Sequence, residues 1–300
     1  MFISTPSQML RKRTMWIAGM NNEGTPMADK MLNQLLAESY NAPIDEGAAG
    51  PVSNPGELIN WPMLKLMYRT DKDAIASLLP PGIEPGDEPN VSITIYNVPV
   101  QNAPEYGVVV NVAADYQGTT GEYTLGIGIN QETVIYISKE RWGQPKFYAD
   151  THYWRMMDQV EARVTHLGHT FVEFKGKILG AQESIPDADQ NEWWIKCIRD
   201  ADLTPGKYDY PPHVVHVYSR FGTAFQEKVE GEIILRESKW DPIATRLPMR
   251  EQVSAHLWTP TFLDRQIKVA GELDGDKFWP FADTIGGSRW PGENGGPPSS

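Results

Sequence analysis

The sequence lacks the cysteines and long apolar runs that several classes of protein require. Cys197 is the only cysteine among 300 residues, which excludes an internal disulfide and a metal site built from several thiolates. A reducing compartment tolerates such a chain, so we expect a cytoplasmic protein. No stretch reaches the roughly 18 consecutive apolar residues of a membrane-spanning helix. The basic cluster at residues 11–13 is not followed by an apolar run of signal-peptide length, so we expect neither membrane insertion nor export by that route.

The sequence also has fewer basic than acidic residues. The chain has 27 Lys and Arg against 39 Asp and Glu, which gives a net charge of −12. Nucleic acids and anionic membranes bind basic surfaces, so both are disfavoured as partners. The sequence also has no P-loop, no glycine-rich dinucleotide fingerprint between a strand and a helix, no HExxH and no GxSxG. These absences argue against the nucleotide-binding, metalloprotease and α/β-hydrolase chemistries that those motifs carry.

Three regions differ in composition. Residues 1–60 are interpreted as an N-terminal extension with one amphipathic helix, because Thr25-Pro26 is typical of a helix start and apolar residues then recur at helical spacing. Residues 61–285 are predicted to form the main domain. Residues 286–300 are rich in Gly, Pro and Ser and are predicted to be disordered.

The main domain is predicted to be mostly β. Short β-rich segments recur and are bounded by turn residues; they cover residues 91–98, 108–113, 123–129, 134–137, 159–164, 169–178, 193–198, 213–218, 230–235 and 253–258. Leu167-Gly168 is predicted to be a hairpin turn. Helices are predicted over residues 70–79 and over part of residues 144–158. Strands at this spacing favour a closed or sandwiched antiparallel sheet over alternating βαβ units.

The histidines do not predict a metal site. His213 and His216 are three residues apart on a predicted strand, which sends their side chains to opposite faces. His166 and His169 flank the hairpin turn, and a metal hydrolase built on them is the alternative reading. We expect structural or surface histidines and no bound metal.

The segment 140–148 contains a lone lysine among aromatic residues. Lys146 follows Pro145, which fixes one backbone dihedral, and lies beside Trp142, Phe147 and Tyr148. At an unperturbed pKa near 10.4, only about 0.04 % of a lysine is free amine at pH 7. Apolar surroundings lower that pKa, and a neutral amine attacks ketones to form a Schiff base. The alternative is a surface lysine whose stem covers the aromatic rings.

Three blocks of this sequence resemble the acetoacetate decarboxylase family. The first is Tyr68-Arg69-Thr70-Asp71 with the run over residues 80–91, and the second leads from Gly121-Glu122-Tyr123 without a gap to Pro145-Lys146. The third block is looser and covers residues 254–256 and 263–265. The resemblance spans about residues 61–275. It implies an α+β, mainly β fold, a cone-shaped antiparallel β-barrel with flanking helices, and assembly as a homo-oligomer.

The resemblance also implies a mechanism and shows where this chain departs from it. The Schiff-base lysine falls on Lys146, and the chemistry requires no cofactor. The family's second lysine, directly after the nucleophile, is replaced here by Phe147, and its arginine ahead of the first block falls on Trp61. One pocket glutamate falls on Thr94 and a second corresponds to Glu105. Relatives with such losses resemble aldolase-dehydratases, which condense the enamine of pyruvate with an aldehyde.

We therefore expect a Schiff-base-forming lyase that acts on a small oxo acid, with aldol condensation and dehydration of a pyruvate-like donor and an aldehyde co-substrate favoured. Lys146 is the predicted nucleophile, and Glu105 is the predicted proton shuttle or orienting group. The predicted substrate-binding residues are Trp142, Gln144, Phe147 and Tyr148. Two alternatives stay open: a decarboxylase of β-keto acids such as acetoacetate, and a non-catalytic barrel that binds a hydrophobic small molecule.

Overall fold

The computed structural model describes residues 62–100, 103–202, 204–282 and Trp290. All of them belong to one compact unit, residues 48–300. The predicted extension over residues 1–60, with its amphipathic helix, lies outside the described residues, as does the predicted disordered tail apart from Trp290. Within the described ranges, no helix combines the length and the apolar character that crossing a membrane demands.

Strands account for most of the described chain. In chain order the elements are β1 (Met63–Arg69), α1 (Lys72–Ala76), β2 (Glu84–Pro85), β3 (Asn90–Val100), β4 (Ala103–Tyr116), β5 (Thr119–Ile129), α2 (Glu132–Trp142), β6 (Lys146–Tyr148), β7 (Asp150–Met156), β8 (Gln159–His166), β9 (His169–Ala181), β10 (Ala188–Arg199), β11 (Tyr208–Leu235), α3 (Ile243–Arg246), β12 (Glu251–Glu272) and α4 (Gly275–Phe278). A 3₁₀ turn over Trp279–Phe281 follows α4.

Seven of the described strands close into a ring. The hydrogen-bonded order is β10-β5-β4-β3-β1-β12-β11, and β11 pairs in turn with β10. Strands β9, β8 and β7 extend from β11 as a second layer. The predicted mainly β architecture with a closed sheet is confirmed. The ring pairs are antiparallel except for the short β5–β10 pairing, which is parallel.

The two faces of the ring differ in polarity because side chains alternate along each strand. On β1, Leu64, Leu66 and Tyr68 are fully or almost fully buried in the main apolar core, together with residues of β8 and β9 such as Val164 and Phe174. The core therefore lies between the ring and the β7–β9 layer. The opposite face, which points into the ring, carries polar residues from several strands.

Most predicted elements are confirmed. The hairpin of β8 and β9 turns at Leu167 and Gly168, whose φ angles are 48° and 81°. The predicted strands at residues 213–218 and 230–235 are two parts of one long strand, β11. The helix predicted over residues 70–79 is shorter, since only α1 is helical within it.

Two predictions around the lysine segment are wrong. Residues 134–137 belong to helix α2, not to a strand; Ile135 and Ser138, three residues apart, form its buried face. Residues 144–158 contain strands β6 and β7, not a helix, because pairing with β5 and β8 outweighs the local pattern. Both errors arise because short apolar runs are compatible with either structure.

Candidate active site

Helix α2 and strand β6 present Lys146 through a turn that only glycine fits. Gly143 ends α2 with a left-handed φ of 69°. A Cβ at this position would lie 2.4 Å from the carbonyl oxygen of Ile195, so any other residue would displace backbone. Three residues later, β6 pairs in parallel with β5, and Lys146 is opposite Ile127.

Strand register places Lys146 on the polar face of the ring. Ile127 pairs with Val109, Val109 with Thr94, and Thr94 with Lys65. Directly paired residues point to the same side of a sheet, so these five side chains form one row across the interior. Lys65 is held within that row, because its Nζ donates a hydrogen bond of 2.7 Å to Thr94 Oγ1.

Phe147 points the other way. It is buried in the main core, where its ring centroid lies 4.3 Å from that of His166. Alternation along β6 therefore sends Lys146 into the ring and Phe147 out of it. A lysine at position 147 would enter an apolar core in this structure, which accounts physically for the phenylalanine.

The Lys146 amine is buried and forms no hydrogen bond with a described residue. The residue is only 8 % exposed. Its Nζ makes no hydrogen bond or ion pair with any described residue. Burial lowers the pKa of Lys146 most, the negative charge of Glu105 opposes this effect, and the positive charge of Arg265 adds to it. The net lowering of the pKa increases the fraction of free amine at neutral pH, which is the nucleophilic form.

Glu105 is a buried carboxylate beside this amine. The hydroxyl of Tyr96 donates a hydrogen bond of 3.0 Å to its Oε1. Its Oε2 is buried and has no hydrogen-bond partner within the described part of the chain. Tyr96 reaches across Gly107, where a Cβ would lie 2.4 Å from the ring, so the glycine permits this contact. One carboxylate oxygen is thus hydrogen-bonded, and the other makes no hydrogen bond with a described residue.

Glu122 and Glu192 form a second acidic group. The Nδ2 of Asn111 donates hydrogen bonds to Glu122 Oε2 at 2.9 Å and to Glu192 Oε1 at 3.1 Å, and Ser92 donates to Glu122 Oε1 at 2.6 Å. Burial raises the pKa of Glu192, and the charge of Glu122 raises it further, although Arg265 and the Asn111 hydrogen bond oppose this rise. Glu192 therefore keeps its proton to a higher pH than an exposed glutamate does.

Arg265, like Glu122 and Glu192, is a candidate-site residue that sequence reasoning missed. It lies on β12 opposite Ser219 of β11, and its charge acts on both Lys146 and Glu192. In the sequence it appears only within a loose motif near the end of the domain. Its neighbours Asp264 and Gln266 are equally polar, so the sequence gives no signal for which face turns inward.

The other predicted binding residues are dispersed. The backbone carbonyl of Gln144 accepts a 2.7 Å hydrogen bond from the Lys146 amide, and the Gln144 side chain is buried. Trp142 packs against the cluster around Trp194, and Tyr148 is 53 % exposed. The charge of Glu105 thus acts on Lys146, Gln144 is joined to Lys146 through the backbone, and Tyr148 lies at the surface. Their assignment to substrate binding stays a prediction.

The two histidines considered as metal ligands differ in burial. His166 is buried in the core, and its Nδ1 is hydrogen-bonded to the Asp241 carboxylate. His169, at the other end of the hairpin turn, is exposed. Across the described ranges, no group of three or more His, Cys, Asp or Glu side chains is arranged to hold a metal ion.

Amine labelling should respond to the lowered pKa of Lys146. Because the pKa is lowered, the free amine forms at lower pH than in an exposed lysine, which titrates near 10.4. We expect Lys146 to react with acetic anhydride at a lower pH than the exposed Lys175, measured by mass spectrometry of peptides across a pH series. A reactivity midpoint for Lys146 at or above that of Lys175 would contradict this assignment.

The family of the chain follows from comparison of its sequence. Residues 39–273 match the family model described as acetoacetate decarboxylase (ADC). That match covers more than half of the chain and includes the ring, α2 and the strand that carries Lys146. The chain therefore belongs to the acetoacetate decarboxylase family.

Individual relatives share limited sequence identity with this chain. Acetoacetate decarboxylase of Paraburkholderia phytofirmans is 31 % identical over 123 residues, which is 40 % of this chain and 47 % of that protein, so the chain spans about half the length of the curated relatives it matches. A solved structure of acetoacetate decarboxylase superposes with a TM-score of 0.63 at 16 % identity, covering 77 % of this chain and 96 % of that one. The enduracididine biosynthesis enzyme MppR, complexed with pyruvate, superposes with a TM-score of 0.57 at 15 % identity, covering 74 % and 94 %. These structural likenesses show the fold.

Proposed function

We propose that this protein is a Schiff-base lyase that acts on a small oxo acid through Lys146. The observation that carries the proposal is the Lys146 amine itself, which is buried on the polar face of the ring, has a lowered pKa and makes no hydrogen bond or ion pair with a described residue. A buried lysine without a partner is costly to folding, so a structural role does not account for it. A nucleophile requires this environment.

The reaction begins at the ketone carbon. The neutral Nζ of Lys146 adds to the carbonyl, and the resulting carbinolamine loses water to give an iminium. The iminium withdraws electrons, so a proton leaves the adjacent carbon and an enamine forms. The enamine carbon then attacks an aldehyde, the adduct loses water, and hydrolysis returns the amine and an unsaturated oxo acid. The iminium is the only electron sink that this sequence of steps needs.

Glu105 is proposed to move the proton between the iminium and enamine forms. Its charge acts on Lys146, so it lies close to where the iminium would form. The Tyr96 hydroxyl holds Oε1, which leaves Oε2 to accept the proton from carbon or to return it. Glu192 is the other candidate for storing a proton, because its pKa is raised.

Condensation with an aldehyde is favoured over decarboxylation. Phe147 replaces the second lysine of the family pattern and points into the core, away from the Lys146 amine, so this chain departs from the decarboxylase pattern at that position. MppR, which shares the fold, has been solved with pyruvate and with the condensation product of pyruvate and imidazole 4-carboxaldehyde. The second candidate is a β-keto acid decarboxylase, supported by the curated relatives of that activity. In either case we propose a cytoplasmic homo-oligomer.

Proton exchange tests the proposal. Incubation with pyruvate in D₂O should replace the methyl protons by deuterium, measured by NMR, because each enamine takes up a solvent deuteron. Glu105→Gln should slow this exchange, whereas Glu183→Gln, which changes an exposed glutamate, should not. Release of carbon dioxide from acetoacetate without exchange in pyruvate would instead favour the decarboxylase. If neither exchange nor carbon dioxide release is detected, the remaining alternative is a non-catalytic barrel that binds a small molecule.

A further inference from the structure

Arg265 is a cation inside the ring that lacks a hydrogen-bonded partner. Its Nε is buried and unpartnered, and no nitrogen of its guanidinium takes part in a hydrogen bond or ion pair with a described residue. A guanidinium stays protonated at any ordinary pH, and although the charge of Glu192 acts on Arg265, no carboxylate is hydrogen-bonded to it within the described part of the chain.

Strand geometry directs Arg265 toward the interior. Its chain neighbours Asp264 and Gln266 line a groove on the opposite face of the sheet, beside His216 and Tyr218. Alternation therefore turns the Arg265 side chain inward, where it is registered with the buried Ser219.

The charge of Arg265 acts on the reacting amine, and no acid is hydrogen-bonded to its guanidinium within the described part of the chain. Its charge repels Lys146 and attracts Glu192. Glu192, however, accepts its hydrogen bond from Asn111, and Glu105 accepts one from Tyr96. The guanidinium therefore remains available for an anion that enters the ring next to the Lys146 amine.

We propose that Arg265 binds the carboxylate of the oxo acid and so makes the site specific for charged ketones. This inference rests on the proposed Schiff-base function. In a 2-oxo acid the carboxylate is bonded directly to the carbonyl carbon, so the anion and the carbon that Lys146 attacks lie side by side. The planar guanidinium can hold a carboxylate through two parallel hydrogen bonds, which also orients the carbonyl.

Lys65 is the competing cation in the ring. Its Nζ is already bonded to Thr94 Oγ1 and lies 5.7 Å from the centre of the Trp258 ring. Lys65 Nζ is therefore already engaged, whereas the Nε of Arg265 makes no hydrogen bond within the described part of the chain. Arg265 is therefore the better placed of the two to hold a group attached to the reacting carbon.

A trapping ratio tests the role of Arg265. Borohydride is added in the presence of pyruvate or of acetone, which lacks the carboxylate, and the adduct on Lys146 is quantified by peptide mass spectrometry. The ratio of the two trapping efficiencies is taken at each pH, so that any change in the fraction of free amine cancels. Arg265→Gln should reduce the preference for pyruvate by about ten-fold or more while acetone is still trapped.

Controls separate the possible failures. Arg220→Gln, an exposed arginine on the outer face of β11, should leave the ratio unchanged. An unchanged ratio in Arg265→Gln, or loss of the preference in Lys65→Met instead, would overturn the assignment while leaving Lys146 as nucleophile. Equal trapping of pyruvate and its neutral amide by the unaltered protein would overturn it without any variant. Absence of every adduct would overturn the proposed function, and this inference with it.

Discussion

Replacement of Lys146 by alanine is expected to reduce methyl-proton exchange in pyruvate by on the order of a thousand-fold or more, the scale of loss when a nucleophile is removed. The reason is chemical, because no iminium or enamine forms without the amine. The rate is measured by NMR in D₂O under the conditions that give full exchange with the unaltered protein.

Lys146→Arg and Lys175→Ala are the matched controls. Arginine retains a positive charge at the site but forms no Schiff base under these conditions, so its exchange should be as low as that of the alanine variant. Lys175 is exposed on β9, far along the chain from β6, and its loss should leave the rate unchanged. Exchange retained by Lys146→Ala would show that the enamine does not form at this residue.

Replacement of Asp241 by alanine is expected to lower the free energy of unfolding by about 2–5 kcal/mol, because each buried donor left without its acceptor costs about 1–3 kcal/mol. Asp241 is almost completely buried, and its carboxylate accepts hydrogen bonds from His166 Nδ1 and from Trp290 Nε1 at 3.3 Å. Both donors would be left buried and unpartnered. Chemical denaturation with a fixed m-value measures the change.

The same substitution should also disturb the active site. The His166 ring packs against Phe147, which is adjacent to Lys146 on β6, so the hydrogen bond to Asp241 helps to fix the direction of the nucleophile. Asp241→Asn, which keeps one acceptor oxygen, should lose less stability. Asp158→Ala, at an exposed position, should lose little. A change below about 1 kcal/mol in Asp241→Ala would contradict a stabilising role for this pair.

The sequence predicted the broad architecture well, and its assignment of Lys146 as the nucleophile stays a prediction. Strand spacing and the hairpin turn at Leu167-Gly168 are determined by local sequence, so the structure agrees with these predictions. Segments 134–137 and 144–158 were assigned incorrectly because their structure depends on tertiary contacts: the helix ends at Gly143 against the backbone of β10, and β6 exists only as a partner of β5.

The rest of the candidate site depends on contacts between distant parts of the chain. Arg265 is separated from Lys146 by more than a hundred residues, and only ring closure brings their charges together. The same holds for Glu122 and Glu192, which meet where β5 and β10 run parallel. Thirty-nine acidic residues offer too many combinations for such a pair to be chosen from the sequence. The position of a strand can be predicted from the sequence, but which of its two faces points into the ring depends on the fold.

Borohydride trapping followed by peptide sequencing tests the central claim most directly. The protein is incubated with pyruvate, and separately with acetoacetate, before reduction, and every lysine is examined by tandem mass spectrometry. We predict a carboxyethyl group on Lys146 after incubation with pyruvate; an isopropyl group after incubation with acetoacetate would indicate decarboxylation at the same amine. An adduct on another lysine, or none on Lys146 with either compound, would contradict the account.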